Sequence, residues 1–323
     1  LRRWRIFLDL GTKSRIRQRM RSRLHLVLCS IYTTRYSMAT RLSQATPAIC
    51  GFFNEIPNPV LRQRDIAEIL AEHRDAWRLA ESTGTTQFIK YLISTGNLRR
   101  WAFKLPHRAE TLFVWGKVSR LAIASSIKTK GYLSHQTAMY LHQLLDKEPQ
   151  TIYVNHEQRP LPPPRGPLVQ SSIDNAFRRP QRITKNHAPL GKHTMYVLNG
   201  KHTGDLGVIS TTDLDGRSLR VTGLERTLID ITIRPSYTGS PSDVLEAYRR
   251  GYGRYSVSSL ANMLKQMSFI YPYHQAVGFY LERTGLYSEA DLSLFRDPQF
   301  THDFYLCYAM KEKSWRMYYP DNL

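Results

Sequence analysis

Two groups of residues in this chain are of types that could do chemistry. The first is His135 and His142, in the stretch GYLSHQTAMYLHQLL at 131–145, which has helical periodicity. A helix chelates a metal ion through ligands at i and i+3 or i+4, which are neighbours on one face. A spacing of seven puts both rings on one face but about 10.5 Å apart along the axis, too far for one ion. His135 also follows Ser134, a residue suited to an N-cap. Both histidines are therefore expected to start and pack a helix, predicted over His135–Leu145, rather than to bind metal.

The second group is Glu225, Arg226 and Asp230 in VTGLERTLIDITI, 221–233. The i, i+4 spacing lets Arg226 meet Asp230, and an adjacent glutamate suggests acid–base chemistry. Leu224, Leu228 and Ile231 form an apolar stripe, however, and Thr222 stands three residues before Glu225, the spacing of a capping box. A capped helix over Thr222–Ile231 with one salt bridge is the expectation. A nuclease-like enzyme using Glu225, Asp230 and His135 is the alternative.

Other chemistry finds no support. The chain has no G-x-x-x-x-G-K-[ST] loop, and GYGRYS at 251–256 lacks the third glycine and the strand-to-helix setting of a dinucleotide fingerprint. It has no G-x-S-x-G elbow. In MKEK, 310–313, no acidic residue stands two positions before a lysine, as a nuclease end would need. Cys29, Cys50 and Cys307 are odd in number and widely spaced, which argues against a disulfide framework and a thiolate zinc site. The expectation is a cytoplasmic protein without metal or cofactor, and not an enzyme.

Charge points elsewhere. The 323 residues carry 46 Lys and Arg against 26 Asp and Glu, a net +20. Such an excess suits a polyanion, because each cation that neutralises a phosphate releases condensed counterions. Residues 1–37 hold ten of the basic residues and one aspartate; without them the chain still carries 36 basic and 25 acidic residues, a net +11. The apolar run Leu24–Ile31 is far short of the ~20 residues that span a bilayer, and no other stretch has that length. Residues 1–44 read as a basic disordered segment or an over-extended gene start, with Met38 as a natural beginning. A basic arm that binds nucleic acid is the alternative.

Three helices are predicted next: Gln44–Asn54, Arg64–Leu79 and Thr85–Thr95. In the third, Phe88, Ile89 and Leu92 recur at helical spacing and Gly96 sits at the expected C′ position. Two strand-like runs follow, Leu98–Leu105 and Thr111–Trp115, joined by PHRAE. Three helices and a basic hairpin are the order of a winged helix-turn-helix, over 45–116. A helix that enters the major groove buries one face and presents polar groups on the other. The outward set here is Thr86, Gln87, Lys90, Tyr91 and Ser94. The hairpin offers Arg99, Arg100, Lys104, His107 and Arg108 to phosphates.

Residues 117–323 read as a larger mixed α/β domain, interrupted by a proline-rich connection at 159–168. Short strands are expected from Ile173 to Val221, then helices at Pro241–Tyr248, Val257–Met267 and Tyr273–Thr284, and a final strand-like DFYLCYAM.

Several stretches, GYLSHQTAMYLHQL, TIYVNHEQ, AFRRPQR, LNGKHTGDLGV, LRVTGLERTLIDITIRPSYTGSPSDVLEAYR and YPYHQAVGFYLER, resemble the bacterial AbiEi-type proteins of abortive-infection systems. The most specific pieces are S-H-x-x-A-x-x-L-H and T-x-x-E-R-T-L-I-D. The resemblance covers about residues 55–323. It implies an α+β chain with an N-terminal winged helix followed by a mixed α/β antitoxin domain. It also implies the antitoxin of a type IV toxin–antitoxin pair, which represses its own operon by binding inverted repeats in double-stranded promoter DNA. Such a protein opposes a nucleotidyltransferase-type toxin without a stable complex; a protein that sequesters its toxin is a third possibility.

Overall fold

The structure, a computed structural model, describes residues 40–323 except 163–165, 178–179, 214, 297–299, 307–309, 313 and 322. The basic segment 1–37, the middle of the proline-rich connection and Cys307 lie outside the described residues. The chain is of mixed α+β class and divides into two compact units, 1–99 and 100–323. Among the described residues no helix is long and apolar enough to cross a membrane.

The first unit contains α1 (Thr40–Glu55), the short strand β1 (Val60–Leu61), α2 (Gln63–His73) and α3 (Thr85–Ser94). Leu42, Ala45, Ile49 and Phe53 recur at three- and four-residue spacing on α1, so one face of it is buried. The Asp65 carboxylate accepts the Arg62 backbone N–H at 2.8 Å and starts α2. That helix ends six residues before the predicted Leu79. The Arg74 side chain folds back to donate to the carbonyls of Ala80 (2.7 Å) and Thr83 (3.1 Å), and Arg78 turns through φ +51°. The turn so formed drives Trp77 into the core, where it stacks on Phe88 at 5.8 Å beside Phe53. A continued helix would forfeit that aromatic contact.

The hairpin strand β2 (Leu98–Lys104) starts at the end of the first unit and runs into the second, where it is followed by β3 (Ala109–Trp115) and α4 (Arg120–Ser125). A six-stranded mixed sheet comes next, from β4 (Tyr132–Leu133), β5 (Thr151–Glu157), β6 (His187–Leu190), β7 (His193–Gly200), β8 (Val208–Thr212) and β9 (Ser218–Thr222). Its strand order is β6-β7-β5-β4-β9-β8. β5 pairs in parallel with β7 and β4 with β9; the remaining pairs are antiparallel.

The helices of this unit depart from expectation in two places. α5 runs His135–Leu141, not to Leu145, because Gln143 adopts φ +57° and closes a Schellman cap. The Leu144 N–H reaches the Met139 carbonyl at 2.8 Å and the Gln143 N–H that of Tyr140 at 3.0 Å. Residues 173–177, expected to be β-rich, close α6 (Gln170–Phe177), with Ile173 buried and Gln170 bonded to Asp174 one turn on, at 2.8 Å.

The main core lies among α7 (Leu224–Ile233), α8 (Pro241–Gly251), α9 (Val257–Gln266) and α10 (Tyr273–Thr284), around Leu228, Val244, Tyr248, Leu260 and Tyr280. After α11 (Glu289–Ser293), a small sheet of β10 (Phe304–Tyr305), β11 (Met310–Glu312) and β12 (Met317–Tyr319) closes the chain. The turn before β12 carries Trp315, whose indole is fully buried against Gly278 of α10. Its Nε1 donates to Glu282 at 2.8 Å and Arg296 covers its ring at 5.3 Å.

Gly278 sets two effects against each other. Alanine improves a helix interior by about 1 kcal/mol, but a Cβ there overlaps an indole fixed on several sides, and overpacking typically costs about 1–3 kcal/mol or more. Gly278→Ala is therefore expected to destabilise the second unit, seen as a lower urea midpoint. A midpoint raised by the substitution would show that the Trp315 turn yields freely.

Candidate nucleic-acid interface

On α3 of the first unit, burial of Phe88, Ile89 and Leu92 fixes which residues face outward. Thr86, Gln87, Lys90 and Ser94 are exposed, with Ile93 beside them. Tyr91, also expected to face outward, is half-buried and shares a short hydrogen bond with the Thr46 hydroxyl of α1. Its ring helps to hold α3 on α1. Gly96 sits at C′ with φ +80°, and its N–H caps the Ile93 carbonyl at 3.0 Å, so the helix is stopped where its sequence predicts. Arg99, the last residue of this unit, is exposed.

On the hairpin of the second unit, Arg100, Lys104, His107 and Arg108 are all exposed. Phe103 turns inward and Trp101 stacks on it at 6.3 Å, so Arg100, Ala102 and Lys104 share the opposite strand face. Arg108 differs from the others, since its fork lies on the buried carboxylate of Glu110, with Nε–Oε1 at 3.1 Å.

A second concentration of functional groups escaped sequence reasoning. Tyr132, Asn155 and Glu157 project from one face of the sheet, Tyr132 opposite Asn155 across β4 and β5. Arg226 of α7 meets them from the helix side. Its Nε donates to Asp230 Oδ1 at 2.9 Å, Nη1 to the Leu206 carbonyl at 2.5 Å and Thr203 Oγ1 at 3.1 Å, and Nη2 to the Tyr132 hydroxyl at 3.4 Å. Asn155 donates to the same hydroxyl at 2.7 Å. Glu157 accepts the backbone N–H groups of Thr203 (2.8 Å), Gly204 (2.9 Å) and Asp205 (3.2 Å). Burial alone would raise the Glu157 pKa, but the Thr203 and backbone hydrogen bonds outweigh it and hold the carboxyl below its ordinary value. The only local signal for this layer was the Arg226–Asp230 spacing.

The two histidines play structural parts. His135, at φ +51°, accepts or donates at Nδ1 to Ser134 Oγ at 2.9 Å, and packs against Tyr237 and Tyr153. The Ser134 side chain is thereby diverted from capping α5. His142 lies past the helix end and its Nε2–H donates to the Thr222 carbonyl at 2.6 Å. The S-H-x-x-A-x-x-L-H and T-x-x-E-R-T-L-I-D segments thus meet. Thr222 is not the N-cap that the spacing suggested: α7 is capped by Gly223, and the Thr222 hydroxyl bonds that of Thr227 at 2.8 Å. Glu225 acts electrostatically on His142 and Tyr255, whereas Asp230 acts on His135 and Tyr132. The three residues of the enzymatic alternative therefore do not share one neighbourhood. Asp230 is 8% exposed and His135 6%. Among the described residues no group of three His, Cys, Asp or Glu is placed to hold a metal ion.

Two outcomes follow from this interior. Arg226→Met strands the Asp230 carboxylate without its cation, expected to cost about 3–5 kcal/mol in urea unfolding, much of it recovered in the Arg226→Met/Asp230→Leu pair. No recovery in the double variant would mean that the hydroxyl and carbonyl contacts, not the charge, carry the effect. His135 titrates near pH 4 rather than 6.5, because burial disfavours the imidazolium more than Asp230 favours it. Between these values the unfolded chain binds one more proton than the folded one, so stability falls as pH drops from 6.5 to 4. The loss is on the order of 3 kcal/mol. Urea midpoints across that window should flatten in His135→Asn, since asparagine tolerates positive φ; an unchanged pH slope would assign the acid lability to other groups.

No family model and no curated protein matches this sequence. In three dimensions the chain is similar to the RV2827C protein from Mycobacterium tuberculosis, known from its crystal structure. The TM-score is 0.50 at 13% identity, over 85% of this chain and 90% of that one. At that identity the likeness is one of fold, a shared α+β arrangement over most of both chains.

Proposed function

We propose that this chain is a DNA-binding antitoxin of the AbiEi type, which represses its own operon through a winged helix at about 45–116. The observation that carries the reading is α3: a helix buried through Phe88 and Leu92 that turns Thr86, Gln87 and Lys90 outward. That division of faces is what a groove-reading helix needs. The exposed cations of the hairpin, Arg100, Lys104 and Arg108, and the net charge of +20 supply the sequence-independent attraction to phosphate. His107 at the hairpin turn and Arg99 at its base extend the same basic strip of sequence. The partner is double-stranded DNA bearing inverted repeats of the protein's own promoter. The toxin, a nucleotidyltransferase, is opposed without a stable complex. In this reading the chain is cytoplasmic and not an enzyme; the burial of Asp230 and His135 weighs against the enzymatic alternative.

The test is fluorescence anisotropy with the duplex upstream of the gene against a scrambled duplex, at two salt concentrations. Specific binding is expected, weakening with salt. Gln87→Ala and Lys90→Ala should each lose ~1–3 kcal/mol of discrimination if they touch base edges. Arg99→Ala/Arg100→Ala should instead weaken binding to both duplexes and lower the salt slope by ~0.9 for each phosphate that is no longer neutralised. Equal, weak binding to both duplexes would sink the repressor reading, and a stable complex with the neighbouring gene product would replace it with sequestration.

A further inference from the structure

Glu110 is a carboxylate on the hairpin that is meant to meet a polyanion, and elementary electrostatics counts it as a defect there. It stands at the beginning of β3, two residues after Arg108, and its side chain is only 4% exposed. Lys128, beyond the end of α4, donates to its Oε1 at 3.0 Å. The Arg108 fork takes both oxygens, Nε to Oε1 at 3.1 Å and Nη2 to Oε2 at 3.3 Å. Burial alone would raise the Glu110 pKa; the hydrogen bond and charge of Lys128, joined by Arg108, outweigh it, so the carboxylate is ionised at neutral pH.

The two cations are not equivalent. The Lys128 side chain is 26% exposed, whereas that of Arg108 is 71% exposed at the hairpin turn. One edge of the Arg108 guanidinium is used by Glu110, and the N–H bonds of the other edge remain for a second anion, which suits the planar fork of arginine and not an ammonium. One carboxylate between one lysine and one arginine leaves the trio with a net positive charge. Lys128 balances Glu110, and the charge of Arg108 stays uncompensated.

We propose that Glu110 is a positioning residue of the DNA-binding hairpin: it pre-orients the Arg108 guanidinium for a phosphate, while Lys128 cancels the repulsion that the carboxylate would otherwise exert. This rests on the hairpin contacting DNA. An arginine at a turn tip loses much rotamer freedom on docking, and one already held in a fork loses less. A carboxylate beside the DNA then improves binding.

The experiment is anisotropy on the upstream duplex with the full chain, its Glu110→Gln, Arg108→Ala and Glu110→Gln/Arg108→Ala variants, each with its melting temperature. Removing a negative charge should tighten binding if Coulomb attraction alone mattered. Positioning predicts the reverse, a loss of roughly three- to tenfold in Glu110→Gln that disappears in the Arg108→Ala background. Binding as tight as wild type in Glu110→Gln, or the same loss with and without Arg108, overturns the proposal; the latter would mean that Glu110 merely fastens the hairpin to the segment after α4. Arg108→Lys, on an exposed turn where folding is not at stake, gives an independent reading. It keeps the charge but not the fork, and should bind between wild type and Arg108→Ala; binding like wild type overturns the proposal as well. If the wild-type chain does not distinguish the upstream from the scrambled duplex, the repressor reading and this inference fall together. If it does, and Glu110→Gln is unaffected, only the inference falls.

Discussion

A guanidinium can leave water only if its N–H groups find acceptors, and Arg226 meets that demand by joining elements far apart in the sequence. Its acceptors are Asp230 one helical turn on, the Leu206 carbonyl and Thr203 hydroxyl of the loop between β7 and β8, and the Tyr132 hydroxyl of β4. Each contact constrains a different part of the second unit. Glu157 grips the same loop through three consecutive backbone N–H groups and shares the Thr203 hydroxyl with Arg226. The loop is therefore held by a cation on the helix and an anion on the sheet. Paired interior charges seldom add much net stability, but they penalise any arrangement in which one partner is displaced. The arrangement of α7 over the β4–β5 face is thereby restricted to geometries that keep every member bonded.

The same logic changes what the net charge means. Of the arginines, Arg74 and Arg254 bond backbone carbonyls, Arg250 and Arg296 bond carboxylates, and Arg220 and Arg316 bond both. Such side chains hold turns and helix ends together, and those that bond carboxylates add nothing to the net charge. The count of +20 is already net of the carboxylates, but it does not say which cations stand clear of other groups. Lys90, Arg100 and Lys104 are exposed and weigh more in the functional reading than the total does.

The parts of the fold that were legible in the sequence are those set by local periodicity. Helix α10 runs Tyr273–Thr284 as predicted, because an apolar face and the glycine at 285 mark its body and its end within a few residues. Helix α2 was misjudged because Arg74 stops it by reaching carbonyls six and nine residues on, which periodicity does not register. The end of α5 was hidden for another reason: a Schellman cap normally announces itself with glycine, and here glutamine takes the left-handed position. Thr222 and Glu225 had the spacing of a capping box, yet the Thr222 hydroxyl is drawn to Thr227. In the polar layer Tyr132, Asn155, Glu157 and Thr203 come from separate elements and carry no shared pattern; only the i, i+4 pair on α7 could be seen.

Burial also limits what the interior polar groups can do. An acid–base catalyst needs a group that can exchange a proton with substrate or solvent, within reach of the reacting atom. The carboxylate of Glu157 is occupied by backbone donors, Asp230 faces a guanidinium in the interior, and His135 is kept neutral by burial among tyrosines. In each case the polar group is held by its neighbours in the interior. Lys90 on the outer face of α3 and Arg100 and Lys104 on the hairpin are, by contrast, exposed. The polar residues of the second unit's interior thus lock one another in place, whereas Lys90 of α3 and the cations of the hairpin stay exposed.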